Sequence, residues 1–128
     1  MKRILFVCIE NSCRSQMAEA FCKLYGGGVV EAFSSGSNPS GGVNPKAIES
    51  MRAIGYDLSA HRPKSLSEIP DVEYDYAVTM GCGEECPVIR AKRRIEWDIP
   101  DPKAMRMEEF NEVRDLIGKK VSELLSSM

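Results

Sequence analysis

Apolar and polar positions follow two periods along this chain, and the changes of period mark its elements. Ile4–Val7 is a short unbroken apolar run with β-branched members, which predicts a buried strand. From Ser15 the period lengthens. Met17, Phe21 and Leu24 fall at i, i+4 and i+7, with Ala18 and Ala20 filling in and Glu19 and Lys23 polar, which predicts an amphipathic helix. Gly26-Gly27-Gly28 closes it. Val29–Ser35 predicts a second strand, and Gly36–Gly42 is a Gly/Ser/Pro loop. Asn44 then serves as N-cap and Pro45 as the first residue of a helix whose apolar face is Ala47, Ile48, Met51 and Ile54, with Gly55 ending it. Asp57–Pro70 reads as irregular, with a short helix near Ser65–Ile69. Tyr74–Met80 is a third strand, Gly81–Pro87 a turn-rich loop and Arg94–Trp97 a short fourth strand. Asp98–Lys103 is a loop with two prolines. Glu108–Leu125 is a long closing helix with Phe110, Val113, Ile117, Val121, Leu124 and Leu125 on one face.

Strands that alternate with helices predict an α/β fold: a three-layer α/β/α sandwich on a four-stranded parallel sheet. In such sheets ligands bind beyond the carboxyl ends of the strands, so Cys8, Ser34, Cys82 and Asp101, which follow strands, are expected to converge on one rim. The length of 128 residues suits a single domain, 1–128. At 43% apolar and 28% charged residues the chain reads as soluble and globular, and a net charge of −2 argues against a nucleic-acid or anionic-membrane partner. No apolar run approaches a membrane span, and MKRILFVC runs straight into the first strand without a signal-peptide core. The expectation is a cytoplasmic monomer. Five cysteines in that setting suggest thiol chemistry or metal binding more than a disulfide framework.

The chemistry is densest between the first strand and the first helix, in Cys8-Ile9-Glu10-Asn11-Ser12-Cys13-Arg14. A loop that leaves a strand and opens a helix offers free backbone N–H groups and the positive end of the helix dipole to an anion. A thiol held in that field is drawn towards its thiolate form. Arg14 adds a planar fork of donors suited to a tetrahedral oxyanion. Ser15 can donate its hydroxyl to the Cys8 sulfur, and Asn11 tolerates the left-handed backbone that a loop wrapped round an anion needs. Read from the residues, this is a nucleophilic thiolate at the floor of an oxyanion cradle. A lone C-x5-R spacing is common and would by itself mean a buried cysteine and a solvated arginine; strand, helix, Asn11 and Ser15 in place turn the reading to function.

Outside the loop, Cys82 and Cys86 lie in GCGEECP. They read as resolving thiols for an adduct on Cys8, as a zinc site, or as two unrelated surface thiols; zinc is weakened by His61 being the one imidazole and by the lack of a second close cysteine pair. Asp101, in a stiff Pro-Asp-Pro turn, is placed to protonate a leaving oxygen, with Asp98 as the spare. Cys13 and Cys22 read as packing residues, His61 as a structural hydrogen-bonder and Lys92-Arg93-Arg94 as a solvated face.

V-C-x-x-N-S-C-R-S-Q-M-A-E, from Val7 to Glu19, resembles the phosphate-binding loop of the low-molecular-weight protein tyrosine phosphatase superfamily and, more narrowly, of the thioredoxin-coupled arsenate reductases of that fold. The likeness continues through Phe33–Gly36, Gly42–Glu49, the Cys82/Cys86 loop with Pro87, and Trp97 to Asp101-Pro102, covering essentially the whole chain. The resemblance implies that Cys8 attacks arsenate, or meets phosphate or sulfate as analogues, while Arg14 and the amides of residues 8–14 (Cys8, Ile9, Glu10, Asn11, Ser12, Cys13 and Arg14) hold the oxygens. It further implies that Ser15 supports the thiolate and Asp101 protonates the leaving hydroxide. Cys82 would then attack Cys8, and Cys86 would attack Cys82, leaving a Cys82–Cys86 disulfide for thioredoxin or a similar dithiol. It implies no cofactor. Some members hold potassium at matches of Asn11, Glu19 and Ser34.

Three departures stand out. Only three residues separate Cys82 from Cys86, fewer than members often have. Glu10 replaces a common glycine, either turned outward or opposing the thiolate. Lys64 stands where potassium-binding members offer an aspartate and would supply its own positive charge, so no metal is expected. The alternative activity is phosphomonoester hydrolysis through a phosphocysteine, with the same Cys8, Arg14 and Asp101. Pro102 is followed by Lys103-Ala104-Met105 rather than by the aromatic residues that would hold a phosphotyrosine ring, and Cys82 and Cys86 would have no task. A non-enzymatic arsenic or redox sensor is a third reading, with no effector module in the chain to support it.

Overall fold

A computed structural model describes residues 1–81 and 89–128. Strands β1 (Lys2–Cys8), β2 (Val30–Gly36), β3 (Tyr74–Met80) and β4 (Ala91–Trp97) form one sheet in the order β2-β1-β3-β4, every pair parallel. Helices α1 (Arg14–Gly26), α2 (Pro45–Arg52) and α3 (Met107–Ser126) complete the α/β fold, with two short 3₁₀ turns at Leu58–Ala60 and Leu66–Glu68. The second turn falls inside the predicted Ser65–Ile69 helix; the first lies in a stretch read as irregular.

β1 is central and buried from Ile4 onward, which explains its unbroken apolar run. Its side chains divide between two cores. Ile4 and Phe6 join Met17, Phe21, Phe110 and Ile117 on the face covered by the three α-helices. Leu5 and Val7 join Ile69, Tyr74, Ala77 and Ile89 on the other, where Leu66 of the second 3₁₀ turn packs against them. β4 is three residues longer than the sequence suggests. It is an edge strand, so Lys92, Arg93 and Arg94 can point to solvent without breaking its pairing with β3.

Two positions on the predicted apolar helix faces miss the core. α1 is buried on every side from Arg14 to Cys22 and then emerges, leaving Leu24 46% exposed. α2 stops at Arg52, and a turn through Gly55, at φ 92°, carries Ile54 out to 40% exposure. Glu19, read as a polar helix position, goes the other way and is buried beneath β2.

α3 crosses α1 at Gly118, where an added Cβ would meet ring carbons of Phe21 at 2.9 Å. We expect Gly118→Val to destabilise the fold by about 1–3 kcal/mol through overpacking, read as a lowered urea midpoint with an unchanged slope.

Candidate active site

The parallel sheet brings the carboxyl ends of all four strands to one edge, and there residues 9–13 turn from β1 into α1. The carbonyls of that loop are all drawn outward. Those of Cys8, Ile9, Glu10 and Ser12 accept from the amides of Ser37, Asn38, Ser40 and Asn44 at 2.8–3.3 Å. The Asn11 carbonyl accepts from the Gln16 side chain and the Cys13 carbonyl from Met17 within the helix. The Gly/Ser/Pro loop after β2 is therefore a belt that holds the carbonyls away from the concave side. Gly36 gives the belt its close approach, since a Cβ there would lie 2.5 Å from the Ile9 carbonyl. Asn11 takes the expected left-handed conformation at φ 52°.

α1 begins with no side-chain cap and no acidic residue in its first turn, whereas α2 is capped by Asn44. An uncapped N-terminus leaves its amides and its dipole for an external anion. Cys8, 3% exposed, lies at the floor. Its Sγ is 2.9 Å from Ser15 Oγ, which itself accepts from Asn11 Nδ2 at 2.7 Å. Because Ser15 accepts from Asn11, its hydroxyl proton is free to be donated to Cys8 Sγ. Asn11 Oδ1 accepts from Gln16 Nε2 and the Lys64 amide, both at 2.9 Å. Gln16 Oε1 in turn lies 2.9 Å from His61 Nδ1, and Tyr56 Oη lies 2.7 Å from His61 Nε2. A neutral His61 with its proton on Nδ1 satisfies both contacts. His61 is thus structural, as expected, but Gln16 was missed. A polar residue inside the first apolar turns of a helix was the available signal.

Arg14 is almost buried. Nη1 donates to the Ile99 carbonyl at 3.1 Å, and Nη2 is 3.8 Å from Asp101 Oδ2. Gly81, at φ 72°, leaves room for it, because a Cβ there would fall 2.1 Å from Nη1. A cavity of about 60 Å³ opens between Cys8, the loop, Arg14 and Asp101, with Glu10 and Lys103 at its rim. Glu10 answers the question its sequence position left open, since its carboxylate pairs with Lys103 at 2.8 Å. Ser34 does not join Cys8 and Asp101. It lies inside β2, paired in register with Phe6, and donates to Glu19 beneath the loop.

Glu19 also meets Lys23 at 2.7 Å, His61 at 3.5 Å and Lys64 at 3.8 Å. The Lys64 ammonium thus stands beside the buried carboxylate, and Asn11 Oδ1 is already taken by two donors. This set does not suit potassium, and among the described residues no three His, Cys, Asp or Glu side chains gather to hold a metal. Burial pushes Cys13 and Cys22 up to about 11, which keeps both as thiols and fits their reading as packing residues. Cys82 and Cys86 lie outside the described residues.

Fold and site together define an α/β protein with a buried cysteine beneath a strand-to-helix loop whose carbonyls turn away from a small cavity. The chain belongs to the low molecular weight phosphotyrosine protein phosphatase family, which residues 3–128 match. It is 34% identical to the glutaredoxin arsenate reductase of Synechocystis, over 100% of this chain and 99% of that protein. A solved arsenate reductase in its phosphate-binding state superposes with a TM-score of 0.90 at 34% identity, covering 99% of this chain and 98% of the other. The thioredoxin-dependent arsenate reductase of Corynebacterium glutamicum gives a TM-score of 0.81 at 30% identity, covering 99% of this chain and 61% of the other.

Two outcomes follow from this geometry. A hydrogen bond to a charged group contributes about 1.5–3 kcal/mol, so Ser15→Ala is expected to slow alkylation of Cys8 by iodoacetamide at neutral pH by about tenfold or more. For His61, burial holds the ring below its ordinary range near 6.5, Glu19 opposes that, and Lys23 and Lys64 add to it. The folded state therefore disfavours the protonated ring. The stability His61 contributes is complete above about pH 6.5 and is lost as pH falls through the lower folded value, by at most about 1.4 kcal/mol per pH unit. Urea midpoints between about pH 7 and pH 5.5 should fall less steeply in His61→Gln than in the parent protein.

Proposed function

We propose that this chain reduces arsenate to arsenite with electrons from a dithiol protein. The observation that carries this reading is the cavity over Cys8. At about 60 Å³ it is far below the roughly 300–1,000 Å³ of pockets that take organic ligands, and among the described residues its lining holds no aromatic side chain. It is the size of an inorganic oxyanion site. The likeness to relatives named as arsenate reductases over the whole chain supports the same conclusion.

In this reaction Cys8 Sγ attacks arsenic and forms an S–As bond. Asp101 gives a proton to the departing hydroxyl, which leaves as water. The loop amides and Arg14 hold the remaining oxygens and the charge that develops on them. Cys82 as thiolate then attacks Cys8 Sγ. The S–As bond breaks with its electron pair going to arsenic, arsenite departs, and a Cys8–Cys82 disulfide remains. Cys86 attacks Cys82 and frees Cys8 as thiolate. A dithiol donor reduces the resulting Cys82–Cys86 disulfide and closes the cycle. Such a cycle belongs in a reducing compartment, the cytoplasm. Hydrolysis of phosphomonoesters by Cys8, Arg14 and Asp101 is the second reading, and the family to which the chain belongs favours it.

The test is arsenate-dependent NADPH consumption, coupled in turn through thioredoxin and through glutaredoxin with glutathione, beside hydrolysis of an aryl phosphate. Turnover in one coupled assay supports the reductase and identifies its donor; fast hydrolysis with no turnover in either overturns it. Cys82→Ser is expected to lose multiple turnovers while still binding oxyanion, and undiminished turnover would sink the relay.

A further inference from the structure

The loop of residues 98–103 is fastened to the oxyanion loop at two depths. Below, Arg14 reaches the Ile99 carbonyl and faces Asp101. Above, at the mouth, Lys103 Nζ lies 3.1 and 2.8 Å from the two carboxylate oxygens of Glu10, a link between residues 93 apart in the chain. The backbone amide of Lys103 also donates to Asp101 Oδ1 at 3.1 Å, so the same short turn carries the proton donor and the upper fastening. Glu10 and Lys103 both line the cavity, and their charges cancel. The pair therefore adds bulk to the rim without adding net charge.

We propose that the Glu10–Lys103 pair is a strap that selects substrate by size. A free oxyanion fits wholly beneath it. The organic arm of a monoester leaves past the pair, and binding such a substrate means breaking it. Both side chains are partly exposed, at 34% and 55%, and an ion pair of that kind is worth up to about fivefold in an equilibrium. This inference rests on the reductase reading and names what keeps the same Cys8 site from serving monoesters.

The test compares two small probes. Hydrolysis of p-nitrophenyl phosphate reports passage of an organic arm, and calorimetric binding of inorganic phosphate reports the cavity itself. The quantity read is kcat/KM for the ester divided by the association constant for phosphate. In the double variant Glu10→Ser/Lys103→Ser, which removes the bulk and leaves the rim charge unchanged, this ratio should rise, by up to about fivefold. In the reversed pair Glu10→Lys/Lys103→Glu it should stay near the parent value. An unchanged ratio in the double variant, an equal rise in the reversed pair, or hydrolysis undetectable in every variant that binds phosphate overturns the strap. Should the double variant lose phosphate binding, Lys103→Ser alone is read in the same way; loss there too makes the pair part of anion binding and also overturns it. Arsenate turnover does not enter the ratio, so the strap and the reductase reading can fail separately.

Discussion

The site depends first on where its carbonyls go. A seven-residue loop contains as many acceptors as donors, and an anion tolerates only the donors. Here the acceptors from Cys8 to Ser12 are removed one by one, four by the amides of residues 37–44 and one by the Gln16 side chain. Each outward bond satisfies a backbone group that would otherwise be buried and unpaired, so the belt stabilises the fold while it clears the concave surface. The apparently featureless Gly/Ser/Pro stretch after β2 is thus part of the site. It contributes through its backbone amides, and Gly36 permits the close approach because nothing larger fits beneath the Ile9 carbonyl.

With its acceptors withdrawn, the loop concentrates positive potential around Cys8, and the cost appears nearby. α1 forgoes a capping side chain, and Arg14 is buried with one hydrogen bond among the described residues. What compensates lies beneath the loop: Asn11, Gln16 and His61 bind one another in sequence, and Lys64 joins both the loop, through its amide on Asn11, and β2, through its carbonyl on Gly36. Cys8 is positioned from below by this array and from the side by Ser15. An uncapped helix start is tolerable because its surroundings fix it.

Much of this was legible in the sequence, for identifiable reasons. The strand, loop and helix around Cys8 announce themselves because the period changes there, and Asn11, Ser15 and Arg14 are residue types with few alternative uses at a helix start. Elements with one buried face were found to within a few residues. The first residues of β4 carry no strand pattern because an edge strand need not be apolar. Leu24 and Ile54 share the apolar faces of their helices but not the core, because periodicity reports the face of a helix and not where the helix leaves the protein. Glu19 and Gln16 were harder still. A polar residue on a helix reads as solvated unless its partners are known, and theirs are far away in the chain: Ser34, His61 and Arg62. The rim pair of Glu10 and Lys103 was invisible for the same reason.

Lys64 has one further consequence. A cation taken from the medium binds with an occupancy that follows its concentration, and its contribution to folding varies accordingly. The ammonium beside Glu19 is carried on the chain and is always present at the effective concentration set by its own tether. The positive charge that Lys64 places under the oxyanion loop therefore does not vary with the ion concentration around the protein. It is inherited through a codon rather than acquired from the cell's ionic composition.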